Sequence, residues 1–125
     1  MIRSFLFVPG DSARKFAKAA AGDAHALILD LEDSGAPENK AQARESVREM
    51  LAQGAAGKQL WVRINSLDTP WALEDLAAVT SAKPYGIVLP KCRSGSDVKQ
   101  LASHLDALEA AAALPAGTIR ILVIA

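Results

Sequence analysis

Short unbroken apolar runs alternate along this chain with longer stretches in which apolar residues recur every three or four positions. The first pattern marks strands buried on both faces, and the second marks helices with one buried side. Ser4 to Val8 is the first run, and Pro9-Gly10 stops it. Asp11 or Ser12 then caps a helix with Phe16, Ala17 and Ala20 on one face, Arg14, Lys15 and Lys18 elsewhere, and Gly22 as its stop. Ala26-Leu27-Ile28-Leu29 opens a second strand that runs into Asp30-Leu31-Glu32-Asp33. Pro37 suits the first turn of a second helix, in which Ala43, Val47, Met50 and Leu51 recur at helical spacing before Gly54 and Gly57. Leu60 to Asn65 is a third strand. Thr69 as a cap and Pro70 at the first helical position predict a third helix with Leu73, Leu76, Ala77 and Val79 on its apolar face. Gly86 to Pro90 is a fourth strand. Ser94 or Ser96 caps a fourth helix with Val98, Leu101, Leu105 and Leu108 inward, closed by Leu114-Pro115-Ala116-Gly117, and Thr118 to Ala125 is the last strand.

Strands and helices therefore alternate from one end to the other, which implies an α/β fold with a parallel sheet and right-handed crossovers. A complete (β/α)8 barrel takes about 250 residues, roughly 31 per unit, so 125 residues hold about four units. The final strand reaches Ala125 with no turn or polar cap after it. Two architectures fit this order: a complete five-stranded doubly wound domain, or the first half of a barrel cut at the end of its fifth strand. Local pattern does not separate them.

Half of the residues are hydrophobic, enough for one domain with a real core. Lys plus Arg equals Asp plus Glu at 14 each, which argues against a surface built for nucleic acid. Cys92 is single, so no internal disulfide forms, and a reducing compartment is expected. Arg3 precedes only a short apolar run before Pro9-Gly10, so no signal peptide is expected. No run reaches membrane-spanning length. The expectation is a cytoplasmic protein with neither a membrane nor a nucleic-acid partner.

Polar residues collect at the predicted C-terminal strand ends, where parallel α/β folds bind ligands: Pro9-Gly10-Asp11, Asp30/Glu32/Asp33, Arg63/Asn65 and Lys91. Alternation puts Asp30 and Glu32 on one face, with Leu29 and Leu31 on the other. Carboxylates crowded there repel unless a cation, a basic side chain or shared protons offset them; a solvated acidic turn capping the next helix is the plainer alternative. Arg63 lies inside an apolar strand and shares a face with Asn65. It either bridges to Asp30 or Glu32 or holds an anionic substrate through its planar fork. Lys91 is a Schiff-base candidate only if buried, and an ion-pair partner otherwise. Arg3, Arg14, Lys15 and Lys18 could meet phosphates or simply face water. His25, His104 and Cys92 lack metal-ligand spacing and read as surface or packing residues. Glycine-rich phosphate loops are absent.

Five spaced motifs combine into a family pattern. Arg3-Ser4-Phe5-Leu6-Phe7-Val8-Pro9-Gly10, Leu29-Asp30-Leu31-Glu32-Asp33 with Ala36-Pro37 and Lys40-Ala41 behind it, Val62-Arg63-Ile64-Asn65, Asp68-Thr69-Pro70-Trp71 and Ile87-Val88-Leu89-Pro90-Lys91 run through the whole chain in order. Together they resemble the citrate lyase beta-subunit-like group of the HpcH/HpaI aldolase superfamily, which includes citryl-CoA and malyl-CoA lyases. The resemblance implies a (β/α)8 barrel that makes or breaks a carbon-carbon bond beside an acyl-CoA thioester with Mg2+, residues 1–125 being the N-terminal half of one barrel domain. It implies that Arg63 binds the carboxylate or developing oxyanion of the substrate. Glu32 and Asp33 would stand around the metal and its waters as an outer shell. Arg3 and Lys18, with the Pro9-Gly10 turn, would lie near the coenzyme A phosphates and adenine, and Arg14 less directly so. The partners implied are an acyl-CoA, a 2-oxo acid and further copies of the chain.

Two departures accompany the resemblance. Cys92-Arg93 follows Pro90-Lys91 where the family usually has an apolar residue and a glutamate. The family's direct metal ligands, a glutamate after strand five and an aspartate after strand six, fall beyond Ala125. The expectation for residues 1–125 alone is little or no lyase activity, with the edges of strands one and five open. The alternatives are a non-catalytic coenzyme A-binding or assembly module, a class I aldolase acting through Lys91, and a longer natural chain of which this is a part.

Overall fold

In a computed structural model of the chain, the described residues are 4–32, 36–92 and 94–124. Strand β1 is Phe5–Pro9 and helix α1 is Ala13–Ala20, whose Ser12 side chain accepts from the Lys15 backbone N–H at 3.2 Å as its N-cap. Strand β2 is Ala26–Asp30, buried at every position. Pro37 opens a single 3-10 turn, Pro37–Asn39, that leads into α2, Lys40–Gln53, and Gly54 ends that helix with φ +70°. Strand β3 is Gln59–Arg63, α3 is Ala72–Thr80, β4 is Gly86–Leu89, α4 is Gly95–Ala111 and β5 is Arg120–Val123.

Strand ends shift by one or two residues from the predicted ones, and two helix starts differ in their capping. Helix α3 begins at Ala72 rather than Pro70, because the Thr69 backbone N–H and hydroxyl both bond Ser66 O, at 3.0 and 2.7 Å, and hold this stretch as a turn. Ser94 stands at the N-cap of α4 without bonding a helix N–H; its hydroxyl pairs with Ser96 Oγ at 2.7 Å instead.

The five strands are all parallel and lie in the order β1-β2-β3-β4-β5. A doubly wound sheet reverses direction at a switch point, whereas a barrel adds each strand beside the last. The sequential order therefore makes this an arc of a (β/α) barrel. Helices cover one face. Between them and the sheet lies the main core, with Val8, Leu27, Leu29, Leu31, Val47, Val62, Ile64, Leu76, Ile87 and Leu101 among its buried members. A second, smaller cluster on the opposite face joins Ala26, Ile28, Trp61 and Val88 to Tyr85, Leu122 and Ile124. Glu109 of α4, buried, accepts from Gly117 N at 3.3 Å and Ile119 N at 2.9 Å and so fixes the turn that feeds β5. At the two edges of the arc, Phe5, Leu6 and Phe7 of β1 and Val123 of β5 are exposed. Among the described residues no helix is long and apolar enough to cross a membrane.

Trp61 organises the second cluster, with Phe5 edge-on at 6.0 Å and Tyr85 tilted at 5.3 Å between ring centroids. Gly86 lets this ring lie flat on β4: a Cβ there would overlap the indole and stand 2.8 Å from Arg120 O. Gly86→Ala is expected to lower stability by about 1–3 kcal/mol and to shift Trp61 fluorescence, read by urea denaturation; an unchanged midpoint would mean that the ring moves freely.

Candidate functional site at the C-terminal rim of the sheet

Parallel register sets Asp30, the last residue of β2, directly beside Arg63, the last residue of β3. Both side chains project on the face away from the helices, so their pairing follows from register. Arg63 Nε donates to Asp30 Oδ1 at 3.0 Å and Nη2 to Oδ2 at 2.7 Å, a two-pronged ion pair that fixes the guanidinium plane. The guanidinium carbon lies 4.6 Å from the centroid of the Phe7 ring, which supports it from β1. Asp30 Oδ1 also accepts from the Glu32 backbone N–H at 2.9 Å, turning the chain as it leaves β2.

That turn brings the Glu32 carboxylate between two cations. Its Oε1 is 3.6 Å from Arg63 Nη1 and its Oε2 is 3.2 Å from Lys91 Nζ. Glu32 Oε2 is buried and receives no well-directed hydrogen bond, so Lys91 acts on it by charge rather than by donation. Lys91, whose side chain is 73% exposed, leaves β4 with φ +53°. That left-handed backbone is uncommon outside glycine and aims the lysine back toward Glu32.

Beneath the rim lies a buried polar cluster. Lys40 Nζ donates to Leu31 O at 3.0 Å, Glu32 O at 3.1 Å and Asn65 Oδ1 at 3.1 Å, and lies 5.1 Å from the centroid of the Trp71 ring. Asn65 donates to Asp75 Oδ2 from its side chain at 2.7 Å and from its backbone at 2.9 Å. Asp75 Oδ1 accepts from Arg44 Nε at 2.8 Å. Sequence reading gave no role to Lys40, Arg44 or Asp75. The available signal was position: Lys40 and Arg44 are four residues apart, on the same side of α2 as Ala43 and Val47, and Asp75 adjoins Leu76 on the buried face of α3.

A cleft of about 270 Å3 opens over this cluster, bounded by Glu32, Lys40, Asn65, Ser66, Trp71 and Lys91. A larger hollow of about 690 Å3 lies at the other end of β3, around Gly54, Lys58 and Tyr85, and holds none of the rim carboxylates. Converging charge favours the smaller cleft as the functional one.

Arg63 and Glu32 therefore meet as the sequence suggests, and Asp30 takes the structural bridge to Arg63. Asp33 and Arg3 lie outside the described residues. Pro9 ends β1 opposite Asp30, and Gly10 N donates to Asp30 O at 2.8 Å. A Cβ on Gly10 would stand 2.6 Å from that oxygen and 2.9 Å from Val47 Cγ2, so the Pro9-Gly10 turn is shaped by close packing on β2. Arg14, Lys15 and Lys18 are exposed on α1. Cys92 is half-buried against the main core, its backbone N–H bonded to Ile124 O at 3.1 Å. Among the described residues no three His, Cys, Asp or Glu side chains gather to hold a metal ion. Asp30 is engaged by Arg63, and these residues do not by themselves form a Mg2+ centre.

A sequential parallel arc with paired charges at its C-terminal rim has the architecture of a (β/α)-barrel protein. The chain belongs to the HpcH/HpaI aldolase/citrate lyase family, whose model matches residues 3–124. It is 39% identical over 101 residues to a (3S)-malyl-CoA thioesterase of Cereibacter sphaeroides, covering 80% of this chain and 35% of that protein. Identity is 41% over 113 residues to an L-malyl-CoA/beta-methylmalyl-CoA lyase of the same species, covering 87% and 36%. Among solved structures, protein CitE from Mycobacterium tuberculosis, in complex with magnesium and acetate, superposes with a TM-score of 0.70 at 36% identity, covering 81% of this chain and 41% of that one. The chain spans about a third of the length of the curated relatives it matches.

Proposed function

We propose that this chain supplies the N-terminal half of a barrel that cleaves or forms the carbon-carbon bond of a 3-hydroxyacyl-CoA such as malyl-CoA or citryl-CoA. The observation that carries this reading is the Arg63–Asp30 pair, flanked by Glu32 and Lys91 on the face that a closed barrel turns inward. In cleavage, the 3-hydroxyl loses its proton and its carbon becomes the carbonyl of a 2-oxo acid. The electron pair of the broken bond passes to the carbon next to the thioester, which takes a proton to give the shorter acyl-CoA. A 2-oxo acid of this kind presents a carboxylate, and the Nη1–Nη2 end of the Arg63 guanidinium fits it, the Nε–Nη2 edge being held by Asp30. Asp30 holds that fork in plane before the substrate arrives, so little reorganisation is required. The Glu32 carboxylate faces the same space, and with Asp33 it would order water around a bound cation. A divalent cation enters this reading through the family resemblance and the magnesium complex of the Mycobacterium protein, since the described residues do not hold one alone. Coenzyme A is assigned to the side of α1, where Lys18 and Arg14 are exposed, together with Arg3 and the Pro9-Gly10 turn. Association of copies in the cytoplasm completes the proposal.

The relative named as a thioesterase supports a second reading, hydrolysis of the same thioester. One assay separates the two. The full protein as expressed is incubated with malyl-CoA and Mg2+ while free thiol and 2-oxo acid are followed in parallel, and its retention of acetyl-CoA is measured by native mass spectrometry. Release of 2-oxo acid without free thiol is the expected result. Free thiol without 2-oxo acid would replace cleavage by hydrolysis. Retention of acetyl-CoA with neither product would favour a binding module and overturn the enzymatic reading. Borohydride trapping with a 2-oxo acid is expected to leave Lys91 unmodified, because its exposed ammonium lacks the burial that a Schiff-base lysine requires.

A further inference from the structure

We infer that Lys40 is a positioning residue for the rim: its ammonium fixes the backbone at Leu31 and Glu32 and so places the Glu32 carboxylate between Arg63 and Lys91. This rests on the reading of the rim as the ligand site. An ammonium has three hydrogens, and Lys40 commits all three, two to consecutive carbonyls at the exit of β2 and one to Asn65 at the exit of β3. None is left for a ligand, which separates Lys40 from the exposed Lys91.

The arrangement is costly as packing alone. Lys40 is 6% exposed, yet all three of its acceptors are neutral oxygens. It is also the first residue of α2, where the helix dipole disfavours a cation. A buried charge kept at such a position gives directional bonds that an apolar side chain of the same length does not. The direction is set from below. Asp75 only accepts, so the amide nitrogen of Asn65 must face it, and Asn65 Oδ1 is thereby turned toward Lys40. Arg44 holds Asp75 in turn. Helices α2 and α3 thus reach the rim through one chain of contacts that ends on Glu32 O.

The test compares Lys40→Met with Leu105→Ala, a core truncation in α4, in the full chain. Amide hydrogen exchange is read at Leu31, whose N–H bonds Arg63 O, and at Glu32, whose N–H bonds Asp30 Oδ1. After correction for global stability, Lys40→Met is expected to speed exchange at these two amides by about tenfold or more, and Leu105→Ala to leave them unchanged. Equal behaviour of the two variants would overturn the inference. Should Lys40→Met fail to fold, Lys40→Gln is expected to give a smaller rise at the same amides, and wild-type exchange there would overturn it equally. Where malyl-CoA is turned over, Lys40→Met should lower kcat by about tenfold or more with KM changed less than about threefold, and an unaltered kcat would refute positioning. If the wild-type protein turns over no acyl-CoA, the lyase reading alone fails, and the exchange comparison still decides the role of Lys40.

Discussion

Asp75→Ala is expected to cost about 3–5 kcal/mol and to lower Tm by roughly 10–20 °C. Asp75 is fully buried and accepts from Arg44 Nε, from the Asn65 side chain and from the Asn65 backbone. Its loss leaves the guanidinium with only the exposed Glu74 carboxylate, 3.2 Å from Nη1, while Nη2 is buried and already without a hydrogen-bond partner. Desolvation of a buried charge left with one exposed partner, rather than the lost pair's own attraction, dominates the cost. The double variant Arg44→Met/Asp75→Ala should therefore be more stable than Asp75→Ala alone. Thermal and urea denaturation of the three proteins decides this, and a double variant less stable than the single would refute the argument.

On the proposed lyase reading, Arg63→Met in the full protein is expected to reduce acyl-CoA cleavage by about 10³-fold and to destabilise the protein by about 2–4 kcal/mol, because it removes the proposed anion-binding fork and the two-pronged partner of Asp30. Arg63→Lys separates the two effects. Lysine restores a positive charge near Asp30 and should recover part of the stability, but it lacks the planar two-pronged geometry and should leave turnover low. Steady-state kinetics and urea denaturation of both variants provide the check. Loss of stability with turnover unchanged would show that Arg63 only bridges β2 and β3. The Phe7 ring beneath the guanidinium makes the geometry less tolerant of lysine, since a planar cation stacks on that face and a tetrahedral ammonium does not.

The rim illustrates how a parallel sheet assembles a charged site from distant residues. Asp30 and Arg63 are adjacent only because β2 and β3 pair in parallel from Ala26 with Gln59 onward. A shift of one position would turn either side chain toward the helices and bury it unpaired in the main core. Register is in turn enforced by Leu27, Leu29, Leu60 and Val62, which fill that core from the opposite face. The hydrophobic pattern of the strands thereby specifies which charges meet. Gly10 adds a local condition, since only glycine permits its backbone to lie against Asp30 O.

By itself the sequence determined the succession of strands and helices, the shared face of Asp30 and Glu32, and the presence of Arg63 on an apolar strand, because each depends on a period of two or of 3.6 along the chain. Alternation and family motifs also pointed to the rim where the strands end. Tertiary structure alone decided the rest. Barrel arc and doubly wound sheet are built from identical β/α units, and only the packing of each strand beside its predecessor chose the order β1-β2-β3-β4-β5. Partnership among charges was settled the same way: Arg63 with Asp30, Lys91 with Glu32, and Lys40 with backbone carbonyls and Asn65. Such pairings join residues far apart in sequence, and a periodic pattern gives the face on which a charge lies but not the strand or helix that will lie against it.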